Sequence, residues 1–488
     1  MILGIDLGTS VVKAASFSPD GRNLAVASRR TVFDQPGDGR VEQDFEMLVH
    51  SVGEVIAEVC ERSGQIPEAI GITGQGDGLW LLDEEGRAVR PAISWLDDRG
   101  TAPLQRWIDS GVYDAVFRRN ANAIFPGSHA PLMAALAAAE PDALERAATA
   151  SYLKDGILQR LTGARVTDAS DSSLPFLDIV KRDYDPEILR LLGLERYRRL
   201  LAPVMPAPGQ AFPLNAAGAA LTGLPEGIPV HAGPFDLVAC PIGAGVRNIG
   251  DGLIIMGTTL ACEVMVDRID TAADPVGMTL CTPAPDRWIR SLPATVGTAA
   301  LDWVLNLVGA KHDQVEDLLS RSVPGANGVT ALPYFSAIGE RAPFCDVRAR
   351  GQLAGLCTRT TSADLVTAVC ESVAYAARHC IEAAGLDGRL MICGGGSSSP
   401  AWSQMLADVL QIPLQVAPKP EVGARGACMA AMDVVGIGYD AEAWTKAHGT
   451  IEPRAASARH YGAGYDHYLD TVAAARSLWN HPRRLAAA

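Results

Sequence analysis

Apolar residues recur along the N-terminal chain with two different periods. The runs Ile2-Leu3-Gly4-Ile5-Asp6-Leu7 and Val11 to Phe17 are short and rich in branched residues, and Gly8-Thr9-Ser10 separates them, which predicts two buried strands joined by a tight turn. A third strand is predicted over 23–33, after the turn Ser18-Pro19-Asp20-Gly21. The period then changes. Between 45 and 62 the apolar residues Phe45, Leu48, Val49, Val52, Val55, Ile56 and Val59 fall at three- and four-residue steps, which predicts an amphipathic helix, and Ala69-Ile70-Gly71-Ile72-Thr73 returns as a buried strand. Residues 131–161 read as two helices parted near Glu140-Pro141-Asp142, closed by Gly163. Pro229-Val230-His231-Ala232-Gly233 is a further strand, 463–480 a terminal helix, and 486–488 a frayed end. Strands alternating with helices argue for the α/β class.

The hairpin pattern occurs twice. Gly252-Leu253-Ile254-Ile255-Met256-Gly257-Thr258-Thr259 repeats the apolar run, the glycine and the small hydroxyl residues near the midpoint, which suggests two related halves. Only the first copy adds an acid, Asp6, where it could hold Mg²⁺ against a substrate phosphate, since magnesium prefers oxygen ligands. An ordinary hairpin with a glycine turn explains one copy; the repeat and the acid together favour phosphate binding. A chain of 488 residues exceeds the size of one core and is expected to form two domains. With the turn at Arg247-Asn248 as the boundary, these are 1–247 and 248–480, followed by a tail, 481–488.

Charge narrows the partners. The formal net charge is −14 and no Lys/Arg block is longer than a pair, so nucleic acid is not an expected partner. The ten cysteines lie mostly in apolar surroundings without zinc spacing, as in the reduced core of a cytoplasmic protein. No signal peptide is read at the start, and no 18-residue apolar run suits a membrane.

Several polar segments sit where strands end. Gly74-Gln75-Gly76-Asp77-Gly78 follows a strand, so its backbone can approach a small ligand while Gln75 and Asp77 bond hydroxyls; a plain surface turn is the alternative, and the spacing is not that of a dinucleotide fingerprint. Trp95-Leu96-Asp97-Asp98-Arg99 follows another short strand and reads as substrate contacts or as a solvated strand end. In Ala232-Gly233-Pro234-Phe235-Asp236-Leu237, Asp236 opens a helix, as a simple cap or as a general base facing a ligand. Gly394-Gly395-Gly396-Ser397 lies between a strand and a helix and leaves bare backbone for a diphosphate. No Walker sequence is present.

Taken in order, these segments resemble the FGGY carbohydrate kinases of the actin, Hsp70 and hexokinase superfamily, over nearly the whole chain. Asp6 to Ser10 resembles the first phosphate motif, Met256 to Thr259 the second, and Gly297-Thr298 through Trp303 the segment bordering the nucleotide. Lys154-Asp155, Leu161-Thr162-Gly163, Thr167 to Ser170, and Gly339-Glu340-Arg341-Ala342-Pro343 also match in order. Gly351 to Leu356 followed by Asp364 to Glu371 fits the C-terminal signature, with Cys370 where a larger apolar residue is usual; Gly423 to Ala427 resembles the closing helix motif near the nucleotide.

The resemblance implies two ribonuclease H-like α/β domains with a cleft between them, the N-terminal one binding sugar and the C-terminal one nucleotide. It implies transfer of the γ-phosphoryl of ATP to a terminal hydroxyl, with Asp236 as base and Asp6 and Asp236 at Mg²⁺. Gln75, Gly76, Asp77, Trp95, Asp97 and Arg99 would contact the substrate. Gly8, Thr9, Ser10, Lys13, Gly257, Thr258, Thr259, Gly297, Thr298, Gly394, Gly395, Gly396 and Ser397 would bind phosphates and nucleotide. D-xylulose kinases usually carry Met-His after the Gly-Gln pair and Gln or Asn after the catalytic Asp, whereas this chain has Gly76-Asp77 and Leu237. Gly74 to Trp80 is more similar to the erythritol kinase and L-xylulose or keto-gulonate kinase branches. An acidic Asp77 disfavours a substrate carboxylate, which points to a neutral tetritol, pentitol or pentulose such as xylulose. Expected partners are that substrate and at most a second copy in a homodimer. An actin- or Hsp70-like ATPase and a non-catalytic sugar sensor on the same fold are the alternatives.

Overall fold

The first hairpin lies at the centre of a six-stranded sheet. In the computed structural model, which describes residues 1–336 and 339–479, the strand order is Phe212–Pro213, Pro229–Ala232, Ala69–Gly74, Ile2–Leu7, Val11–Phe17, Asn23–Arg30. Ile2–Leu7 runs antiparallel to Val11–Phe17 and parallel to Ala69–Gly74, so Asp6 stands opposite Lys13 on one side and Thr73 on the other. The helix Phe45–Ser63 precedes Ala69–Gly74 in the chain. Asp44 caps it by accepting from the Glu46 and Met47 N–H groups, Gly64 ends it at φ 65°, and its buried stripe from Phe45 to Val59 joins the core under the sheet.

The second hairpin is built in the same way. Gly252–Met256 runs antiparallel to Leu260–Val266 and parallel to Leu390–Cys393, in the strand order Trp288–Ala294, Leu260–Val266, Gly252–Met256, Leu390–Cys393, Leu414–Val416, Gly449–Ile451. The repetition read in the sequence is therefore a repetition of sheet topology.

The chain divides into two units that are not continuous in sequence. The first comprises Met1–Gly245, Val266–Ile289 and Pro418–Lys446; the second comprises Val246–Met265, Arg290–Ala417 and Ala447–Ala488. Residues 418–446, expected on the C-terminal side, thus pack in the first unit. Their helix, Val422–Val435, lies against strands Ile2–Leu7 and Ala69–Gly74 at a distance only glycine allows: a Cβ on Gly4 would stand 2.2 Å from the Ala424 carbonyl oxygen, and one on Gly71 2.1 Å from that of Ala427. Gly4 and Gly71 are partners across the two strands, so they clear one continuous strip of backbone.

Three expectations need correction. The third strand stops at Arg30 because Thr31 leaves the ladder to close the first hairpin turn, its N–H donating to the Ser10 carbonyl and its hydroxyl to that of Thr9. Residues 131–161 hold His129–Ala139, Pro141–Arg146 and Leu153–Thr162, with the strand Thr149–Ser151 before the last of them. The small residues 147–151 suit either period, and pairing with Trp80–Leu82 decides it. The terminal helix begins earlier, spanning Ala458–Trp479; the tail 481–488 and its end 486–488 lie outside the described residues. All ten cysteines are free, six of them buried, while Cys345 and Cys357 are exposed and not core residues. Among the described residues no helix is long and apolar enough to cross a membrane.

Gly71→Ala is expected to destabilise the chain by about 3 kcal/mol, because backbone cannot yield as a side chain can. Gly462→Ala, in open space, should stay within about 1 kcal/mol of the parent. Urea unfolding of the two variants checks this.

Candidate active site

Within the first unit, Asp6 and Asp77 both act electrostatically on Asp236. Asp6 ends its strand half-buried; burial pushes its carboxyl up to about 6, Lys13 pulls it down and Glu421 pushes it up. Lys13 bonds Glu421 at 2.9 Å, which holds its ammonium charged against the cost of burial. Asp236 opens the helix Asp236–Ala244, and burial, with the charges of Asp6 and Asp77 adding to it, raises its carboxyl to about 8 despite the Leu237 N–H. Asp77 is buried and takes a left-handed backbone at φ 57°, as does Glu421 at φ 57°. Two non-glycine residues in that region beside the same acids mark locally strained backbone of the kind found at functional sites.

The expected substrate contacts are wired together. The Trp95 indole N–H donates to the Thr9 hydroxyl at 3.0 Å, the Thr9 hydroxyl donates to Gln75 Oε1 at 3.0 Å, and Gln75 Nε2 donates to Gln43 Oε1 at 3.1 Å. Thr9, placed by sequence with the phosphates, is thus tied to Gln75, expected at the substrate. Asp97 is buried, and its two oxygens accept from Arg99 at 2.9 and 2.7 Å and from the Val41 N–H at 2.7 Å, while Arg99 also meets Glu42 at 2.8 Å. The two residues hold each other and the strand Arg40–Gln43. Gly76 is walled in: a Cβ there would lie 2.6 Å from the Phe235 ring and 3.0 Å from Asp171 Oδ1. Gly8 closes the first turn through its N–H to the Val11 carbonyl at 3.1 Å, and Ser10 is exposed.

In the second unit the expected nucleotide residues also converge. The Gly297 N–H donates to the Thr258 carbonyl and the Thr298 N–H to the Gly257 carbonyl, at 2.9 and 2.8 Å, which locks the second turn onto the start of helix Thr298–Val308. A Cβ on Gly396 would lie 3.0 Å from both Met256 and Thr298, and one on Gly297 2.6 Å from the Gly257 oxygen. Gly394 has φ 92°, Ser397 returns its hydroxyl to the Gly394 carbonyl at 2.7 Å, and Gly395 faces open space. Thr259 sits in the turn before Leu260–Val266. Glu340, buried and raised by that burial, accepts at one oxygen from the Thr295, Arg341 and Ala342 N–H groups and the Thr295 hydroxyl, a clamp two residues from Gly297.

The sequence did not single out Gln43 or Glu421, and it named Ser170, whose hydroxyl accepts from the Phe235 N–H at 3.0 Å, only within the matched run Thr167 to Ser170. The signal for Glu421 was its place directly before Val422-Gly423, where a Cβ on Gly423 would come within 2.7 Å of Asp6 Oδ2. For a divalent cation the fit is good: Asp6 offers a hard carboxylate oxygen beside acids in need of positive charge, and magnesium takes one or two protein carboxylates with substrate phosphates completing its shell. The one trio of mutually close potential metal ligands among the described residues, Asp155, Asp168 and Asp171, already surrounds the Lys154 ammonium.

Comparison with known proteins assigns the halves. Residues 1–243 match the N-terminal domain of the FGGY family of carbohydrate kinases and residues 252–433 its C-terminal domain. The erythritol kinase of Brucella abortus (strain 2308) is 31% identical over 89% of this chain and 88% of its own length, and the xylulose kinase of Escherichia coli (strain K12) 29% identical over 84% of each. The crystal structure of xylulose kinase from Rhodospirillum rubrum superimposes with a TM-score of 0.88 at 27% identity, covering 98% of this chain and 99% of that one.

Asp236→Asn is expected to raise Tm, and to raise it more at pH 8 than at pH 5. A carboxyl with a folded pKa near 8 and an unfolded value of about 3.9 makes the folded state bind the extra proton between those limits, so stability falls as pH rises through them. Thermal melts of the two proteins at both pH values check the sign.

Proposed function

Because the chain belongs to the FGGY family of carbohydrate kinases, phosphotransferases that use ATP, we propose that it phosphorylates a terminal hydroxyl of a neutral tetritol, pentitol or pentulose with Asp236 as general base. The observation that carries this reading is the electrostatic grouping of Asp6, Asp77 and Asp236. A base must sit near its operating pH, and Asp236 is raised toward it by burial and by its two acidic neighbours. Asp77 is the acid that sets substrate charge: a carboxylate beside it would be repelled at close range, whereas a hydroxyl can donate to it. The relatives' names, erythritol kinase and xylulose kinase, bracket the four- and five-carbon range.

Asp236 would take the proton of the attacking hydroxyl, Lys13 would add positive charge near the phosphates, and Asp6 would hold the cation. Gly257 to Thr259, Gly297, Thr298 and Gly394 to Ser397 would take the phosphates and nucleotide on open backbone. Magnesium, when bound, supplies charge that stabilises the transferring phosphoryl group. Most of the acceleration in such a reaction comes from position and charge, not covalent chemistry.

ADP release should rise with one member of a panel of tetritols, pentitols, pentuloses, glycerol and sugar acids, and Asp236→Ala should lower that rate by about 10²–10⁴-fold while ADP binding persists. Turnover of a sugar acid with none of any neutral member would overturn the substrate assignment. Slow hydrolysis indifferent to every sugar would favour an ATPase or a sensor. The pH dependence follows from the same acids. At low Mg²⁺, kcat/KM should fall as pH drops through about 8, because the base is lost on protonation, and saturating Mg²⁺ should move that limb to lower pH by relieving the repulsion from Asp6. A limb unmoved by Mg²⁺ would separate the cation from these acids.

A further inference from the structure

The turn that presents Asp236 is fixed by three hydrogen bonds. Two come from the central sheet: the Gly233 N–H donates to the Ile72 carbonyl at 2.7 Å, and the Thr73 hydroxyl to the Pro234 carbonyl at 2.7 Å. The third, from the Phe235 N–H to the Ser170 hydroxyl, is the one adjacent to Asp236 and comes from a helix of only four residues, Ala169–Ser172. A helix that short has no stability of its own. What holds it is charge. Asp168 caps it, one oxygen accepting from the Ser170 N–H at 2.9 Å and the other meeting Lys154 Nζ at 2.6 Å, and Asp171 meets the same ammonium at 2.9 Å.

Lys154 is fully buried and Asp155 completes its shell at 2.6 Å. Burial works against the ammonium, but the three carboxylates around it keep it charged. It occupies the place a metal ion would take among those acids. Such a buried ionic cluster is weak evidence for stability, since apolar packing of equal volume often serves as well or better. Its reach toward the site is more telling. Ser170 touches the turn of the base, and Asp171 touches the space behind Gly76 in the substrate turn.

We propose that Ser170, held in place by the Lys154 cluster, is a positioning residue that aims Asp236 at the acceptor hydroxyl. The inference rests on Asp236 being the base. Removing the hydroxyl leaves two of the three bonds and the ion cluster intact, so the turn persists while the residue next to the base loses its tether. A displacement of about 1 Å at a reacting group can cost about 100-fold in rate.

The test is a double-mutant cycle on kcat with Ser170→Ala, Asp236→Asn and the double variant, each checked for fold by circular dichroism and for KM of ATP. Ser170→Ala should lower kcat by about 10- to 100-fold with KM for ATP within about twofold, and should not lower the residual rate of Asp236→Asn further. Wild-type kcat in Ser170→Ala, or the same loss in both backgrounds, overturns the inference and leaves the base assignment standing. Near-normal turnover by Asp236→Asn overturns the base assignment itself and this inference with it. Where Ser170→Ala does not fold, the same cycle with Asp168→Asn decides, since Asn preserves the helix cap and removes one of the three acidic charges around Lys154.

Discussion

The first unit depends on how closely the helix Val422–Val435 approaches the bared backbone of Gly4 and Gly71. Without that approach its N-terminus would not reach the end of the first strand. With it, Gly423 lies against Asp6, and Glu421 meets Lys13. The same helix packs equally tightly on the helix of Asp236: a Cβ on Gly426 would lie 2.0 Å from the Ala239 oxygen, and one on Gly243 2.1 Å from the Val422 oxygen. Its other face is tied by Arg425, whose guanidinium bonds the Gly21 and Trp444 carbonyls and lies 4.5 Å over the Phe17 ring. One helix distant in sequence therefore packs against both Asp6 and the helix that Asp236 opens.

The burial of these acids has an electrostatic cost. Asp6 and Asp77 both raise the affinity of Asp236 for a proton, Glu421 raises that of Asp6, and Lys13 is shared with Glu421. A fold selected for stability alone would not bury these carboxylates near one another. The arrangement makes sense when positive charge arrives with the substrates, because the energy stored in repulsion is then released on binding. The Lys154 cluster shows another arrangement of buried acids: three carboxyls share one internal cation, which they keep charged against burial, while burial raises the carboxyls of Asp155 and Asp171.

Strands and hairpins were legible because their buried runs are short, branched and bounded by turns, and the repeated hairpin gave the two-part α/β architecture. The destination of Val422–Val435 was not legible. A helical period records that one face is buried, not which sheet it covers, and only the matching glycines at 4, 71, 423 and 426 hint at the contact. Asp6, Asp77 and Asp236 were visible as acids at strand and helix ends. Lys154 was visible only as part of a motif, because a lysine buried among carboxylates looks in sequence like one at the surface. Asp97 and Arg99 stood out as charged residues after a strand, and their mutual bonds depend on a backbone geometry that sequence spacing does not reveal.

The chain of bonds from Trp95 through Thr9 and Gln75 to Gln43 bears on which substrates this surface can accept. Each link joins one donor to one acceptor, so a ligand that enters here must replace both roles or leave a buried polar group unpaired, at about 1–3 kcal/mol each. A hydroxyl can donate and accept at once; a carboxylate can only accept. On the proposed reading, a polyol or ketose would exchange these bonds like for like, whereas a carboxylate would leave acceptors such as Gln75 Oε1 and Gln43 Oε1 without a donor and add a charge. If these residues contact the substrate as proposed, hydrogen-bond accounting and the electrostatics of Asp77 would select for the same property, a neutral ligand dense in hydroxyls.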